Sequence, residues 1–340
     1  MKYPKFLDDN GVIGVVAPSF STFGEPYTSR YYSAIEEFNK RGHKVISVDN
    51  IVSKQIRFIN NHKVKAKDLV NFYLDSKSDV LFSVAGGEFM CDTISHVNFN
   101  KIKKAEPKWY MGFSDNTNFT FLLTTLCDTA SIYGDCFPEF GIKPWYKTQE
   151  DAYKFLKGEK LVFTNLDKYE VESFKREPGR ELESYNLEKE SKWINLSKED
   201  TFKVEGRVLV GCLDILVMLC GTKFDKVKEF TTKYKDDGII WFLESCDLTT
   251  PSQLRAMWQL KNAGWFNNAK AIIVGRPKIT ETTVGLNYKR ANYKELKELN
   301  IPVVIDADFG HTAPRIPVIC GAYCKLDYNK GKCKMEYVLK

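Results

Sequence analysis

The chain has 340 residues, 43% apolar and 28% charged, a composition typical of a globular protein with room for two domains rather than of a disordered or fibrous one. Fifty basic and 44 acidic residues leave a formal charge of only +6, which does not favour a nucleic-acid partner, because such proteins concentrate basic residues on one face. The sequence contains neither a signal-like apolar core after a charged start nor an apolar run long enough to span a bilayer, so we expect neither export nor membrane insertion.

The first part of the chain alternates short β-branched runs with helical patterns, which predicts a parallel sheet flanked by helices. Open sheets of this kind bind ligands at the carboxyl ends of their strands, so the residues just after each strand are candidates for a functional site. The predicted strands are residues 12–16, 44–48, 80–84 and 108–113, and the predicted helices are residues 29–41, 67–74 and 116–127.

Residues 166–202 are rich in Lys, Glu and Ser and poor in apolar residues, which indicates a segment that connects two domains. The sequence therefore predicts an α/β fold with an N-terminal α/β domain over residues 1–165 and a second, C-terminal α/β domain with a β-rich core over residues 203–340. In the second domain we predict strands at residues 207–210, 239–243, 271–274, 303–305 and 335–339 and a helix at residues 251–263.

Three side chains with reactive chemistry follow predicted strands: Ser114 after Gly-Phe, Glu244 after Phe-Leu and His311 after Phe-Gly. A hydroxyl, a carboxylate and an imidazole are the groups that nucleophilic acyl transfer requires. Imidazole can take a serine proton near neutral pH and return it to a leaving amine. We therefore interpret the chain as a hydrolase.

Each of these motifs also has a plainer explanation. Ser114 or Asp115 can simply cap the following helix, His311 can be an ordinary surface or core histidine, and Asp247 competes with Glu244 for the role of the carboxylate. The turn at Ser114 lacks the second glycine of a G-x-S-x-G elbow, which disfavours an esterase of the α/β-hydrolase type. A two-domain binding protein without catalytic activity would use the same cleft.

Cofactors and metals have little support in the sequence. Gly86-Gly87 follows a predicted strand, where backbone without a Cβ can approach a substrate carbonyl, although a plain turn explains the pair as well. No glycine-rich phosphate loop follows a strand and no two histidines have a ligand-like spacing, so we expect neither a nucleotide cofactor nor a metal. The nine cysteines form no C-x-x-C pair, which indicates reduced thiols in a cytoplasmic protein.

Taken in order, these motifs resemble the serine carboxypeptidase family that holds the LD-carboxypeptidases (muramoyltetrapeptide carboxypeptidases) and the microcin C immunity peptidases. The similarity extends over nearly the whole chain. The segments that resemble the family are, in chain order, Gly14 to Ser19, Ala85-Gly86-Gly87, Gly112 to Thr117, Gly206 to Thr222, Phe242 to Glu244 and Phe309 to His311.

The resemblance implies specific roles for five residues. Ser114 would be the nucleophile, His311 the general base and Glu244 the group that orients His311. The backbone N–H groups of Gly87 and Asp115 would form the oxyanion hole. The family's fold is also implied, with the serine in one domain and the other two groups in the second, usually in a homodimer.

By the same resemblance, the substrate would be a cell-wall tetrapeptide cleaved at the amide next to its terminal carboxylate, or else an aminoacyl-nucleotide conjugate of the microcin immunity type. Gly86, Glu88, Cys212 and Trp193 would contact it. Ala85 replaces an arginine common in the LD-carboxypeptidases, and Cys212 replaces the asparagine of the family's Gly-Gly-Asn-Leu. Trp193 would stack on a nucleobase or, equally, anchor the interface between domains.

Overall fold

The structure is a computed structural model that describes residues 1–49, 51–52, 62–197 and 199–340. Its first half alternates strands and helices. The elements are β1 (Val12–Val16), α1 (Tyr27–Lys40), β2 (Lys44–Ser47), α2 (His62–Leu74), β3 (Val80–Ser83), α3 (Met90–Ile94), α4 (Phe99–Lys104), β4 (Trp109–Gly112), α5 (Thr117–Thr125), β5 (Ser131–Tyr133) and α6 (Lys147–Leu156).

The segment after α6 contains short strands: β6 (Val162–Thr164), β7 (Lys168–Glu170), β8 (Leu187–Glu190) and β9 (Ile194–Asn195). Strands and helices then alternate again. The remaining elements are β10 (Thr201–Cys212), α7 (Leu213–Leu219), α8 (Val227–Lys233), β11 (Ile239–Glu244), α9 (Thr250–Asn262), β12 (Ala269–Gly275), α10 (Tyr288–Lys294), β13 (Val303–Ala307), β14 (Val318–Cys320), β15 (Tyr323–Asn329) and β16 (Lys332–Val338).

The first sheet has the strand order β14-β5-β4-β3-β1-β2 within the described residues. Strands β1 to β5 run parallel, while β14 pairs antiparallel with β5. Strands β3 and β4 are buried along their whole length, because helices cover both faces of a parallel sheet. The carboxyl ends of these strands therefore form one edge, at which β4 leads directly into the turn before α5.

A second, β-rich sheet has the order β6-β16-β15-β10-β11-β12-β13-β9 over the described ranges. Its centre, β10 to β13, is parallel, and its flanking strands are antiparallel. The predicted α/β class, with a parallel first sheet and a second β-rich sheet, is confirmed. The two sheets exchange strands, since β14 joins the first sheet and β6 joins the second.

Every strand and helix predicted from local pattern overlaps an observed one, but about half of the observed elements, such as β5, α6 and β14, were not predicted, and neither was the long-range pairing of the strands. The prediction for residues 12–16 matches β1. Strand β10 is much longer than the predicted residues 207–210, because its first part pairs antiparallel with β15. No helix in the described part of the chain has the length and hydropathy needed to cross a membrane.

Helix α5 packs against the second sheet and joins the two halves. Phe121 on α5 stacks on Trp265, with ring centroids 5.6 Å apart, and lies 6.2 Å from the ring of Trp241 on β11. All three side chains are buried. Aromatic groups bury large apolar areas, so this cluster holds the helix that follows Ser114 against the sheet that carries Glu244.

We expect Phe121→Ala to lower the free energy of unfolding by about 3–5 kcal/mol, since it removes a buried aromatic side chain and leaves a cavity. Urea unfolding followed by tryptophan fluorescence measures this change. Tyr32→Ala is the control, because Tyr32 is 54% exposed. An equal loss of stability in the two variants would contradict the role of Phe121.

Candidate active site

Ser114 lies on a tight turn between β4 and α5, at the start of the single 3₁₀ turn Ser114–Asn116. Its φ of +64° is in the left-handed region, which non-glycine residues rarely adopt and which is found preferentially at functional sites. The side chain is partly exposed, and it lines a cavity. The fold therefore holds this hydroxyl at the sheet edge in a fixed, strained turn.

His311 bridges the two halves of the molecule. Its Nε2 is 2.9 Å from Ser114 Oγ, and its Nδ1 is 2.7 Å from Glu244 Oε2. The imidazole also packs against Phe113, with ring centroids 5.2 Å apart. The structure thus brings the three predicted reactive groups into one continuous hydrogen-bonded chain, with distances suited to proton transfer.

Glu244 ends β11 and is completely buried. Two glycines make room for it. A Cβ on Gly310 would lie 2.6 Å from Glu244 Oε2, and a Cβ on Gly275 would lie 2.9 Å from Glu244 Cβ. Gly310 also has a φ of +93°, so the Phe-Gly-His motif needs glycine both for its backbone conformation and for close approach to the carboxylate.

The carboxylate of Glu244 stays ionised despite its burial. Burial by itself raises its pKa, but the charge of His311 and hydrogen bonds from His311, Tyr133 and Cys212 together bring the pKa below its ordinary value. A buried carboxylate with such partners avoids the large desolvation cost of an isolated charge. Glu244 can therefore orient the imidazole and stabilise it in its protonated form.

Tyr133, which sequence reasoning missed, connects the Ser114 turn to Glu244. Its Oη accepts a hydrogen bond from the Ser114 backbone N–H at 3.0 Å and donates one to Glu244 Oε1. Burial and the charge of Glu244 raise the pKa of this phenol well above its ordinary value, so it remains a donor. The only signal in the sequence is a tyrosine that directly precedes Gly134, at the end of a three-residue strand.

The glycine pair Gly86-Gly87 lies beside Ser114. A Cβ on Gly86 would lie 3.1 Å from Ser114 Cβ and 3.8 Å from the backbone N of Asp115. Gly87 has a φ of +155°, and a Cβ there would overlap Ser19 Oγ. Neither the Gly87 nor the Asp115 N–H finds an acceptor among the described residues. These two donors are therefore available to a ligand.

The Asp115 side chain fixes the glycine loop to the nucleophile turn. Its carboxylate accepts hydrogen bonds from Ser19 Oγ and, at 3.0 Å, from the backbone N–H of Met90. It also accepts one from Asn118 Nδ2 at 2.9 Å. Burial raises its pKa, and these donors oppose that effect. The carboxylate thus serves the architecture of the loops rather than proton transfer.

The other predicted substrate contacts have different locations. Gly86 lines the cavity, whereas Glu88 is exposed and does not. Trp193 is 0% exposed, and its indole N–H donates to Asp308 Oδ2 at 2.8 Å, which places it in the interior as an anchor. Cys212 is buried behind Glu244 rather than in the cavity wall. The aromatic surface expected from Trp193 is therefore not presented to the cavity in this structure.

The cavity in front of Ser114 and His311 has a volume of about 1020 Å³, in the upper range of small-molecule sites. Both halves of the chain and the connecting segment line it. Among its lining residues, Lys189, Lys192 and Lys278 form no ion pair with any described residue. The cavity therefore contains cationic side chains without ion-pair partners, together with the carboxylates of Glu170 and Glu190, which also form no ion pair with a described residue.

Comparison with known proteins places this site in context. The sequence models of the LD-carboxypeptidase N-terminal and C-terminal domains match residues 13–134 and 205–326. The Bacillus subtilis (strain 168) protein named "Putative carboxypeptidase YocD" is 21% identical over 278 residues, which cover 80% of this chain and 79% of that protein.

Solved structures share the fold over the full length. An MccF-like protein from Bacillus anthracis str. Ames superposes with a TM-score of 0.82 at 18% identity, covering 100% of both chains. The microcin C7 self immunity protein MccF in complex with aspartyl sulfamoyl adenosine gives a TM-score of 0.82 at 19% identity, covering 99% of both chains. At these identities the likeness establishes the two-sheet fold.

We expect Tyr133→Phe to lower kcat by about 10- to 100-fold with little change in KM, because it removes both hydrogen bonds that join the Ser114 backbone to Glu244 while leaving the cavity wall intact. Steady-state kinetics on a cleaved substrate measure both constants. Tyr73→Phe is the control, because Tyr73 is also a buried tyrosine but its hydroxyl accepts from the Lys108 backbone N–H, away from the Ser114 turn. A pure increase in KM for Tyr133→Phe would contradict this role.

Proposed function

The chain belongs to the LD-carboxypeptidase family, and we propose that it is a serine peptidase that hydrolyses an amide next to a terminal carboxylate. The observation that carries this proposal is the continuous chain of hydrogen bonds from Ser114 through His311 to Glu244. These groups come from three segments far apart in sequence. Their convergence at a large cavity is the arrangement that nucleophilic catalysis requires.

In the proposed reaction, Ser114 Oγ attacks the substrate carbonyl carbon while His311 Nε2 takes the hydroxyl proton. The carbonyl oxygen gains negative charge and accepts hydrogen bonds from the free N–H groups of Gly87 and Asp115. His311 then gives its proton to the departing amine, which leaves an ester on Ser114. A water molecule attacks this ester while His311 takes one of its protons; the bond between the acyl carbon and Ser114 Oγ then breaks, His311 returns the proton to Oγ, and the carboxylic acid product leaves. Glu244 keeps the imidazole oriented throughout.

The lysines of the cavity that lack ion-pair partners support a substrate that carries an anionic group such as a carboxylate. Lys189 and Lys192 come from the connecting segment, and Lys278 comes from the loop after β12. Without acidic partners, these side chains can bind an anionic group by charge-assisted hydrogen bonds. A cell-wall tetrapeptide, released in peptidoglycan recycling, has such a terminal carboxylate.

An aminoacyl-nucleotide conjugate is the second candidate substrate. The structural neighbour MccF is described in complex with aspartyl sulfamoyl adenosine, and its fold matches this chain from end to end. A cavity of about 1020 Å³ has room for a nucleoside and an amino acid. Such a conjugate would place its base against a surface other than the buried Trp193.

We also propose that the protein acts in the cytoplasm as a homodimer. All nine cysteines are free, which fits a reducing compartment. Met218 on α7 and Trp258 on α9 are 47% and 55% exposed, and the two helices are in contact. Large apolar side chains exposed on adjacent helices are typical of a surface that a second subunit covers.

Ser114→Ala is expected to reduce kcat by about 10⁴-fold or more, the scale seen when a member of a catalytic triad is removed. Product formation followed by mass spectrometry measures the loss, and calorimetric titration tests whether substrate still binds. Ser95→Ala, on the surface after α3, is the control. Full turnover by Ser114→Ala would refute the role of Ser114 as the nucleophile.

A direct comparison of substrates separates the two candidate classes. The purified protein is incubated with an L,D-linked tetrapeptide and, separately, with an aminoacyl sulfamoyl adenosine. We expect loss of the terminal D-residue from the tetrapeptide at the higher kcat/KM, because the free lysines favour a carboxylate there. Faster cleavage of the nucleotide conjugate would assign the chain to the second class instead.

A further inference from the structure

Behind the reactive serine, Cys212, Glu244 and His311 form a cluster in which one potential metal-ligand atom from each residue lies within 4.8 Å of the other two. Cys212 is the last residue of β10 and is paired in register with Glu244, the last residue of β11. Side chains at paired positions of adjacent strands lie on the same face of a sheet. The thiol is therefore a direct neighbour of the carboxylate that binds His311.

We propose that this cluster is an inhibitory binding site for a thiophilic divalent cation, with Zn²⁺ the best match. Thiolate, imidazole and carboxylate are the three protein donors that zinc prefers, and three of them leave one position open. A thiolate and a carboxylate also balance the 2+ charge, so the buried complex is neutral and the desolvation cost is small. Spacing along the sequence gave no sign of this site, because its ligands come from three distant segments.

Zinc binding requires only small changes in the distances between the three donor atoms. Donors bound to one zinc ion at about 2.0–2.3 Å in a tetrahedron lie roughly 3.3–3.8 Å apart. The 2.7 Å pair of His311 Nδ1 and Glu244 Oε2 must therefore open by about 0.6 Å. The widest separation in the cluster, up to 4.8 Å, must close by about 1 Å. Rotation of the Cys212 thiol away from Asp214 Oδ2, now 3.2 Å away, can supply that closure.

The chemistry of binding explains inhibition. The Cys212 thiol loses its proton to solvent when its sulfur bonds to zinc, and Glu244 is already ionised. A neutral His311 that carries its proton on Nδ1 moves that proton to Nε2 and bonds to zinc through Nδ1. The Nε2–H then points at Ser114 Oγ, so the imidazole can no longer accept the serine proton. One proton is released for each ion bound.

Burial separates this site from an ordinary reactive thiol. The Cys212 side chain is buried, so external thiol reagents reach its sulfur poorly. Cys212 and Glu244 are 1% and 0% exposed, whereas the side chain of His311 is 12% exposed. A cation must therefore enter past His311. We therefore expect inhibition with a slow onset.

Metal binding itself is tested without substrate, so its result does not depend on the proposed function. The purified chain is titrated with Co²⁺ as a spectroscopic substitute and with Zn²⁺ in competition with a coloured chelator. We expect one ion per chain and a sulfur-to-cobalt charge-transfer band for the unmodified protein. Cys246→Ala is the matched control, because Cys246 lines the cavity but is not part of the cluster.

In Cys212→Ala we expect the charge-transfer band to disappear and the zinc affinity to fall at least tenfold. Cys212→Ser provides a second variant with an oxygen of similar size, and circular dichroism confirms that both variants fold. The proposed metal site would be refuted if the unmodified protein showed no charge-transfer band, or if Cys212→Ala bound zinc as tightly as the unmodified protein.

Inhibition, which rests on the proposed function, is measured separately. Zn²⁺ should inhibit the unmodified protein and Cys246→Ala with slow onset and full recovery in EDTA. The Zn²⁺ concentration that halves the rate of Cys212→Ala, relative to its own uninhibited rate, should be at least tenfold higher than for the unmodified protein. Equal inhibition of the Cys212 variant overturns the inhibitory role. If the protein binds cobalt through sulfur but hydrolyses neither substrate, the proposed peptidase function and the inhibitory role are both refuted. The metal site is still supported in that case.

Discussion

The contact between the first turn of α5 and the end of β10 is the constraint on which the site depends. The Cys212 backbone N–H donates to Thr117 Oγ1 at 3.0 Å, and a Cβ on Gly211 would lie 2.6 Å from Thr117 Cγ2. Register then places Glu244 beside Cys212 on the next strand. Ser114 begins the 3₁₀ turn that leads into Thr117, so this contact constrains the distance between Ser114 and Glu244, and any rotation of one sheet against the other changes that distance.

Burial of Glu244 has both a structural and a chemical consequence. A carboxylate in the interior is tolerated only with several donors, and here His311 and Tyr133 occupy both of its oxygens. His311 also contacts Ser114 Oγ, and Tyr133 accepts from the Ser114 backbone N–H, so the groups that satisfy the charge also hold Ser114 in position. We infer that stability and activity cannot be separated at this position, whereas Tyr133 offers a milder change to the same network.

Residues marked by a local sequence pattern were predicted from the sequence. Residues whose position depends on the tertiary pairing of strands were missed. Ser114, Glu244 and His311 were predicted to converge because Glu244 ends β11 and the other two lie in the loops after β4 and β13, and the carboxyl ends of parallel strands meet at one edge. Tyr133 was missed because β5 has only three residues and no periodic signal. The cluster around Cys212 depends on lateral register between β10 and β11, which no spacing along one chain reveals. Trp193 was assigned two roles, and its burial beside Asp308 could be decided only by the structure.

We propose that Ser114, from one half of the chain, is activated by His311 from the other half. Labelling with a fluorophosphonate probe, followed by peptide mapping, tests this most directly, because only an activated serine reacts. We predict a single adduct on Ser114, with its rate of formation reduced at least 100-fold in His311→Ala. No adduct on Ser114, or equally fast labelling in the His311 variant, would contradict the claim.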